Sequence, residues 1–176
     1  MTVILIIAFV VVSVYRYYQH INETNKAADL INQIKNINIA ALAYRGINED
    51  PYYIFKKLES QDVAPRDWEP HSVSQRWVTP RWGNFFIGGL AAGGYSVYAP
   101  PGIGNADGFL YTVSRIQKNI CLKVIQGIEA DFDFIALNNS DRIVLKNYNV
   151  PFSHTKAATE CGNNGDRVWL GLMVYK

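Results

Sequence analysis

MTVILIIAFVVVSVYRYYQHINETNKAADLINQIKNINIAALAYR, residues 1–45, is the stretch that decides the fold. Its first 14 residues carry no charge, and only Thr2 and Ser13 are polar. An apolar segment without a polar face belongs in lipid, in a protein core on all sides, or in a processed signal. Tyr15, Arg16, Tyr17 and Tyr18 follow, an aromatic and basic cluster of the kind found at membrane interfaces. The apolar run rises roughly 21 Å as a helix, against a hydrocarbon core of about 30 Å. It is therefore short for a complete span. A cleaved signal peptide fits less well, because no basic residue precedes the run and no A-x-A-like site follows it.

Beyond Tyr18 the chain turns polar without a helix breaker, since no Pro or Gly occurs before Gly46. Ala27, Leu30, Ile31, Ile34, Ile37, Ala41 and Tyr44 recur at spacings of three and four, the stripe of an amphipathic helix. Lys26, Asp29, Gln33, Lys35 and Asn36 fall mostly off that stripe. Gly46 supplies a C-terminal stop, and Pro51 lies a little beyond. The expectation is one helix of about 45 residues, roughly 68 Å long. Its apolar first part projects as a stem and its striped second part docks on a globular head. The stripe covers fewer than three heptads, too few to favour a coiled coil.

The rest of the chain reads as that head. Residues 46–81 are irregular and aromatic, with a short helix expected at 53–58. Strands are expected at 84–90, 95–99 and 109–113, punctuated by the Gly88-Gly89 and Gly93-Gly94 pairs, which suggest bulges or a tight hairpin. Ser114 can cap a helix running to about Val124, with Ile116, Ile120, Leu122 and Val124 as its apolar members and Cys121 on it. Residues 132–137 and 142–145 read as strands around an Asn138-Asn139-Ser140-Asp141 turn. Val168, Leu170, Leu172 and Val174 alternate as in a half-buried terminal strand. Strands gathered behind one long helix predict an α+β fold with an antiparallel sheet.

With 49% hydrophobic and 18% charged residues the composition is that of a globular domain. A net charge of +2 without any run of five like charges gives no case for nucleic acid. The two cysteines, Cys121 and Cys161, fit neither a CxxC motif nor a zinc site; they are free buried thiols or one disulfide, according to compartment. Asp131 and Asp133 share one face if extended, but alternate with Phe132 and Phe134 as a solvated edge would. His20, His71 and His154 lack metal spacing, and no metal or cofactor is expected. Ser153-His154 lies near Cys161, but a Cys–His pair would need a free thiolate. The glycine-rich loop at 102–108 lacks the Lys and Ser/Thr of a phosphate-binding loop and reads as a turn. These features point to no enzyme.

Taken in order, the parts resemble the type IV pilins, and among them the type IVb class. Ala27-Ala28-Asp29-Leu30-Ile31-Asn32-Gln33-Ile34, with Tyr44-Arg45-Gly46 behind it, is similar to that family's helix end. Asn84-Phe85-Phe86-Ile87-Gly88 is similar to the segment entering its sheet. The region from 109 to 137, with Cys121 on a helix after a strand, and Glu160-Cys161-Gly162 before the last strand are similar to the bounds of its disulfide region. The resemblance implies a pilin fold, divided into an apolar stem (1–22) and a head (23–176) that includes the second half of the long helix. It implies a Cys121–Cys161 bridge formed outside the cytoplasm. It also implies a helical homo-oligomeric filament whose core is built from Val3, Ile4, Leu5, Ile6, Ile7, Phe9, Val10, Val11, Val12 and Val14. Residence in the inner membrane before assembly, methylation, cell adhesion, a pilus assembly ATPase, a platform protein and a prepilin peptidase come with it. One departure stands out. The family places Glu at the fifth mature residue, whereas position 5 is Leu5 and no acid precedes Glu23. Met1-Thr2-Val3 matches the interior of an Ile-Glu-Met-Thr-Val start, so the chain is expected to begin several residues inside the mature stem. The alternatives are a minor or tip pilin that lacks the Glu, and a membrane-anchored extracytoplasmic enzyme.

Overall fold

A computed structural model describes residues 2–45, 69–70, 78–79, 84–89, 108–137, 143–163 and 167–175. The helix expected at 53–58, the strand at 95–99, the Gly93-Gly94 pair and the turn at 138–141 lie outside them.

Helix α1 runs unbroken over Thr2–Arg45, 44 residues, as the lack of Pro and Gly requires. Its character changes midway. Every described residue from 4 to 22 is exposed, whereas Ala27, Leu30, Ile34 and Ile37 are 2% exposed or less. Ile31 is partly buried against the same core. Ala41 and Tyr44 fall on α1 by backbone, but their side chains, like that of Val3, lie outside the described set.

The head's sheet is antiparallel throughout. Its strands are β1 (Glu69–Pro70), β2 (Val78–Thr79), β3 (Asn84–Gly89), β4 (Gly108–Gln117), β5 (Phe134–Leu137), β6 (Ile143–Lys146) and β7 (Arg167–Tyr175), in the order β1-β2-β3-β4-β7-β5-β6. The last strand in sequence is thus an interior strand, paired on both sides. That corrects the expectation of a half-buried strand. Leu170, Leu172 and Val174 face the main core, while Met173, between Leu172 and Val174, is buried on the opposite face, as are Phe134 and Ala136 of β5. Alternation in β7 separates two buried faces, so a period of two did not distinguish core from solvent here.

Two further expectations are corrected. Ser114 does not cap a helix, because β4 continues to Gln117, paired with Arg167 of β7 across a bulge between Val113 and Ile116. Arg115 sits in that bulge with φ 63°, a left-handed conformation that non-glycine residues adopt where surrounding pairing enforces it. Helix α2 therefore begins only at Lys118 and runs over Lys118–Ile128, burying Ile120, Cys121, Val124, Ile125 and Ile128. Gly88 and Gly89 are neither bulge nor hairpin; they pair in register with Leu110 and Phe109.

Helix α3 (His154–Asn163) was not expected. Ser153 opens it: its hydroxyl accepts from the Lys156 amide at 3.3 Å and its carbonyl from the Ala157 amide at 3.0 Å. Only Ala157 and Cys161 are buried along it, a stripe too thin to stand out in the sequence.

Contacts between α1 and α2 fix their relative direction. Asn119 donates to Glu23 Oε1 at 2.8 Å, Lys123 Nζ donates to Thr24 Oγ1 at 3.1 Å, and Lys35 Nζ lies 3.0 Å from Asp131 Oδ2. Both residue numbers rise together, so α2 runs parallel to α1. The helices approach closely at Gly127: a Cβ there would run into Cδ1 of Ile31 and come within 2.9 Å of its Cγ1. Ile31 is β-branched and stiff at χ1, so it moves away poorly. Gly127→Ala is expected to destabilise the head by about 1–3 kcal/mol, the cost of overpacking, despite alanine's better helix propensity. Chemical denaturation checks this, with Ile31→Val expected to recover part of the loss. At the far end of α2, Lys146 Nζ donates to the carbonyls of Glu129 and Phe132, both at 2.7 Å, and closes the turn into β5.

Candidate assembly surface

Among the described residues, none from 4 to 22 of α1 is buried against the head. From residue 4 to residue 14 its large apolar side chains range from 49% exposed at Val12 to 75% at Phe9. They point in every direction around the helix, so no single partner face covers them. Ser13 is the polar exception among these residues, and its hydroxyl donates to the Phe9 carbonyl at 2.8 Å. The segment thus offers apolar surroundings no unsatisfied hydroxyl proton. By length and composition α1 is able to cross a membrane. Exposed apolar surface on this scale marks a contact with lipid or protein.

Tyr15, Tyr17 and Tyr18 are at least 61% exposed and close the apolar run. One residue above Asn22, Glu23 accepts from Asn119 and ties α1 to α2.

At the end of α2 nearest the stem, Cys121 is bonded to Cys161 of α3, with Cα atoms 5.8 Å apart and a sequence separation of 40. The disulfide expected from the family resemblance is therefore present. Both sulfurs are occupied, which removes the Cys–His nucleophile. His154 lies elsewhere, edge-on to Phe152 with ring centroids 4.9 Å apart and 3.7 Å from Glu129 Oε2. Beside the bridge, an open groove of about 590 Å³ is lined by Gln117, Lys118, Asn119, Leu122, Ala158 and Gly162.

The other chemical candidates disperse. Asp131 and Asp133 alternate with buried Phe132 and Phe134, as the pattern suggested, although the strand begins only at Phe134. Asp131 pairs with Lys35 rather than with a second acid. His20 is exposed on the stem, and His71 lies outside the described residues. Among the described residues no three His, Cys, Asp or Glu gather as metal ligands do. The contacts that hold α1 to α2 had no local signal, because their partners stand 96 to 99 residues apart.

A helix with a bare apolar front, a parallel second helix bound to its rear and a disulfide between α2 and α3 is a specific arrangement. The fold as a whole is similar to that of solved structures. A crystal structure of a type IVb pilin from Salmonella typhi superposes with TM-score 0.54 at 14% identity, covering 80% of this chain and 95% of that one. The solution structure of the Salmonella typhi type IVb pilin PilS gives 0.54 at 13%, covering 85% and 96%. The crystal structure of TcpA, a type IV pilin from the Vibrio cholerae El Tor biotype, gives 0.50 at 11%, covering 87% and 99%. The chain has a type IVb pilin-like fold. No protein-family model matches the sequence. No curated protein matches it either. At identities this low the pilin-like architecture is what the comparison shows.

Proposed function

We propose that this protein is a structural subunit of a type IV pilus filament, assembled by packing of its N-terminal helices. The observation that carries the reading is the all-round exposure of the apolar residues 4–14 on a helix whose rear half is locked into a pilin-like head. In this reading residues 1–22 are the stem and 23–176 the head. Before assembly the stem sits in the bacterial inner membrane, with the head on the extracytoplasmic side where the Cys121–Cys161 bridge is stable. After assembly Ile4, Leu5, Ile6, Ile7, Phe9, Val10, Val11, Val12 and Val14 pack against other stems along the filament axis. Moving from lipid to a helix bundle gains little from the hydrophobic effect, so close packing holds the stems together. Extraction from the membrane then requires an external motor. An assembly ATPase, a platform protein and a prepilin peptidase are the partners that family resemblance supplies. No cofactor enters this reading, and the protein is not an enzyme.

Electron microscopy of surface filaments sheared from cells, labelled with an antibody to the head, tests the proposal. Labelling along the whole shaft is the expected result. Labelling confined to the tip would make the protein a minor pilin, and unlabelled or absent filaments would contradict the assignment.

A further inference from the structure

The parallel run of α1 and α2 places two ends of the head at different distances from the stem. Lys118 and Lys123 stand at the end near the stem, at the level of Glu23 and Thr24. Arg115 is exposed three residues before Lys118, in the left-handed position of the β4 bulge. Arg16 is exposed on the stem below them and Lys26 lies just above. Among the described residues the acids at this end are Glu23, which accepts from Asn119, together with Asp29 and Glu160. The cations Arg16, Lys26, Arg115, Lys118 and Lys123 outnumber them. At the opposite end the described charges are balanced: Lys35 pairs with Asp131, Lys146 and Lys156 donate to the carbonyls of Glu129 and Val144, and Glu129 and Asp133 are the further acids.

Distances along α1 relate this cationic rim to the stem. Val14, the last residue of the apolar run, lies about 14 Å below Glu23 along the helix axis. A headgroup layer is about 5–7 Å deep, which takes in the exposed Tyr15, Tyr17 and Tyr18 and the guanidinium of Arg16. The backbone of the rim then stands about 7–9 Å above the headgroups, within a Debye length, and lysine stems reach lower still. The groove lined by Gln117, Lys118, Asn119 and Leu122 opens at the same level.

We infer that the stem-proximal rim of the head, Arg115, Lys118 and Lys123, binds the anionic phospholipid headgroups of the membrane that holds the stem. This rests on the proposed insertion of the stem. It gives the unassembled subunit a fixed seat, with the head drawn onto the bilayer surface until it is extracted. Charge complementarity and continuity with the apolar stem identify the lipid surface as the occupant.

The experiment reconstitutes the full chain with vesicles of phosphatidylcholine alone or doped with phosphatidylglycerol. Flotation measures insertion, and acylation of lysine amines by a water-soluble reagent measures the rim, with Lys156 at the far end as internal standard. Both vesicle types are expected to float the protein. Labelling of Lys118 and Lys123 relative to Lys156 is expected to fall about fivefold on the anionic vesicles, the factor one near-surface charge contributes, and to recover in high salt. Free inorganic phosphate is expected to give no such protection. Arg115→Gln is expected to weaken the protection of Lys118 while leaving flotation unchanged. Equal labelling on both vesicle types, with flotation intact, overturns the inference and leaves the stem reading standing. Protection that follows protein density instead of lipid charge also overturns it, in favour of a second copy of the chain. Flotation on anionic vesicles alone, reversed by salt, supports the rim and defeats the inserted stem. Absence of flotation from both defeats the two together.

Discussion

Val11→Arg in the stem is expected to abolish surface filaments while leaving the head's unfolding transition where it was. Val11 is 60% exposed, and the apolar residues around it make no contact with the head's buried core, which begins at Ala27. Removing it therefore costs the isolated subunit nothing in packing. In the membrane, an arginine at a helix centre costs about 2.5–3.5 kcal/mol on insertion scales, roughly a hundredfold in population. In the filament the penalty is compounded, because each subunit would bring the same unpaired cation to a packed axis. Val11→Ile keeps the chemistry and is expected to retain filaments. Shear-fraction yield against whole-cell protein measures the first effect, and thermal unfolding of the oxidised protein in detergent measures the second. Filaments at normal yield from Val11→Arg would show that this segment is not buried in the assembly.

The second large effect is expected from removing the bridge. Cys121 is fully buried in α2 and Cys161 nearly so in α3. With only Ala157 as a second buried residue, α3 depends on the bond for much of its attachment. Closing a loop of 40 residues is worth about 4 kcal/mol in the chain-entropy model. Against a total stability of about 5–15 kcal/mol that is a large share. The double variant Cys121→Ala/Cys161→Ala is expected to lose about that much in chemical denaturation and to become protease-sensitive around α3. A loss below about 1 kcal/mol would mean that the bridge adds little to the packing already present.

The features legible in the sequence were those with a continuous local signal. Freedom from Pro and Gly over 45 positions announced α1, and the stripe from Ala27 to Ile37 announced the face it buries. The apolar run at 4–14 announced the candidate surface, because it has no polar face to turn to water. What escaped was set by distant partners. The end of β4 moved from 113 to Gln117 because β7 pairs with it there, overriding the capping chemistry of Ser114. α3 escaped because two buried residues on a ten-residue helix make no recognisable period. The close approach of Gly127 to Ile31 and the basic rim at Lys118 and Lys123 exist only once α2 lies parallel to α1.

The central claim is that the apolar stem is the contact through which subunits assemble. A helical reconstruction of sheared filaments by electron cryo-microscopy tests it most directly. The expected result is a core of packed helices in which Ile4, Leu5, Ile6, Ile7, Phe9 and Val10 to Val12 are buried against neighbouring copies, with the heads outside. A filament whose subunits touch through their heads alone, with the stems exposed or absent from the axis, would contradict it.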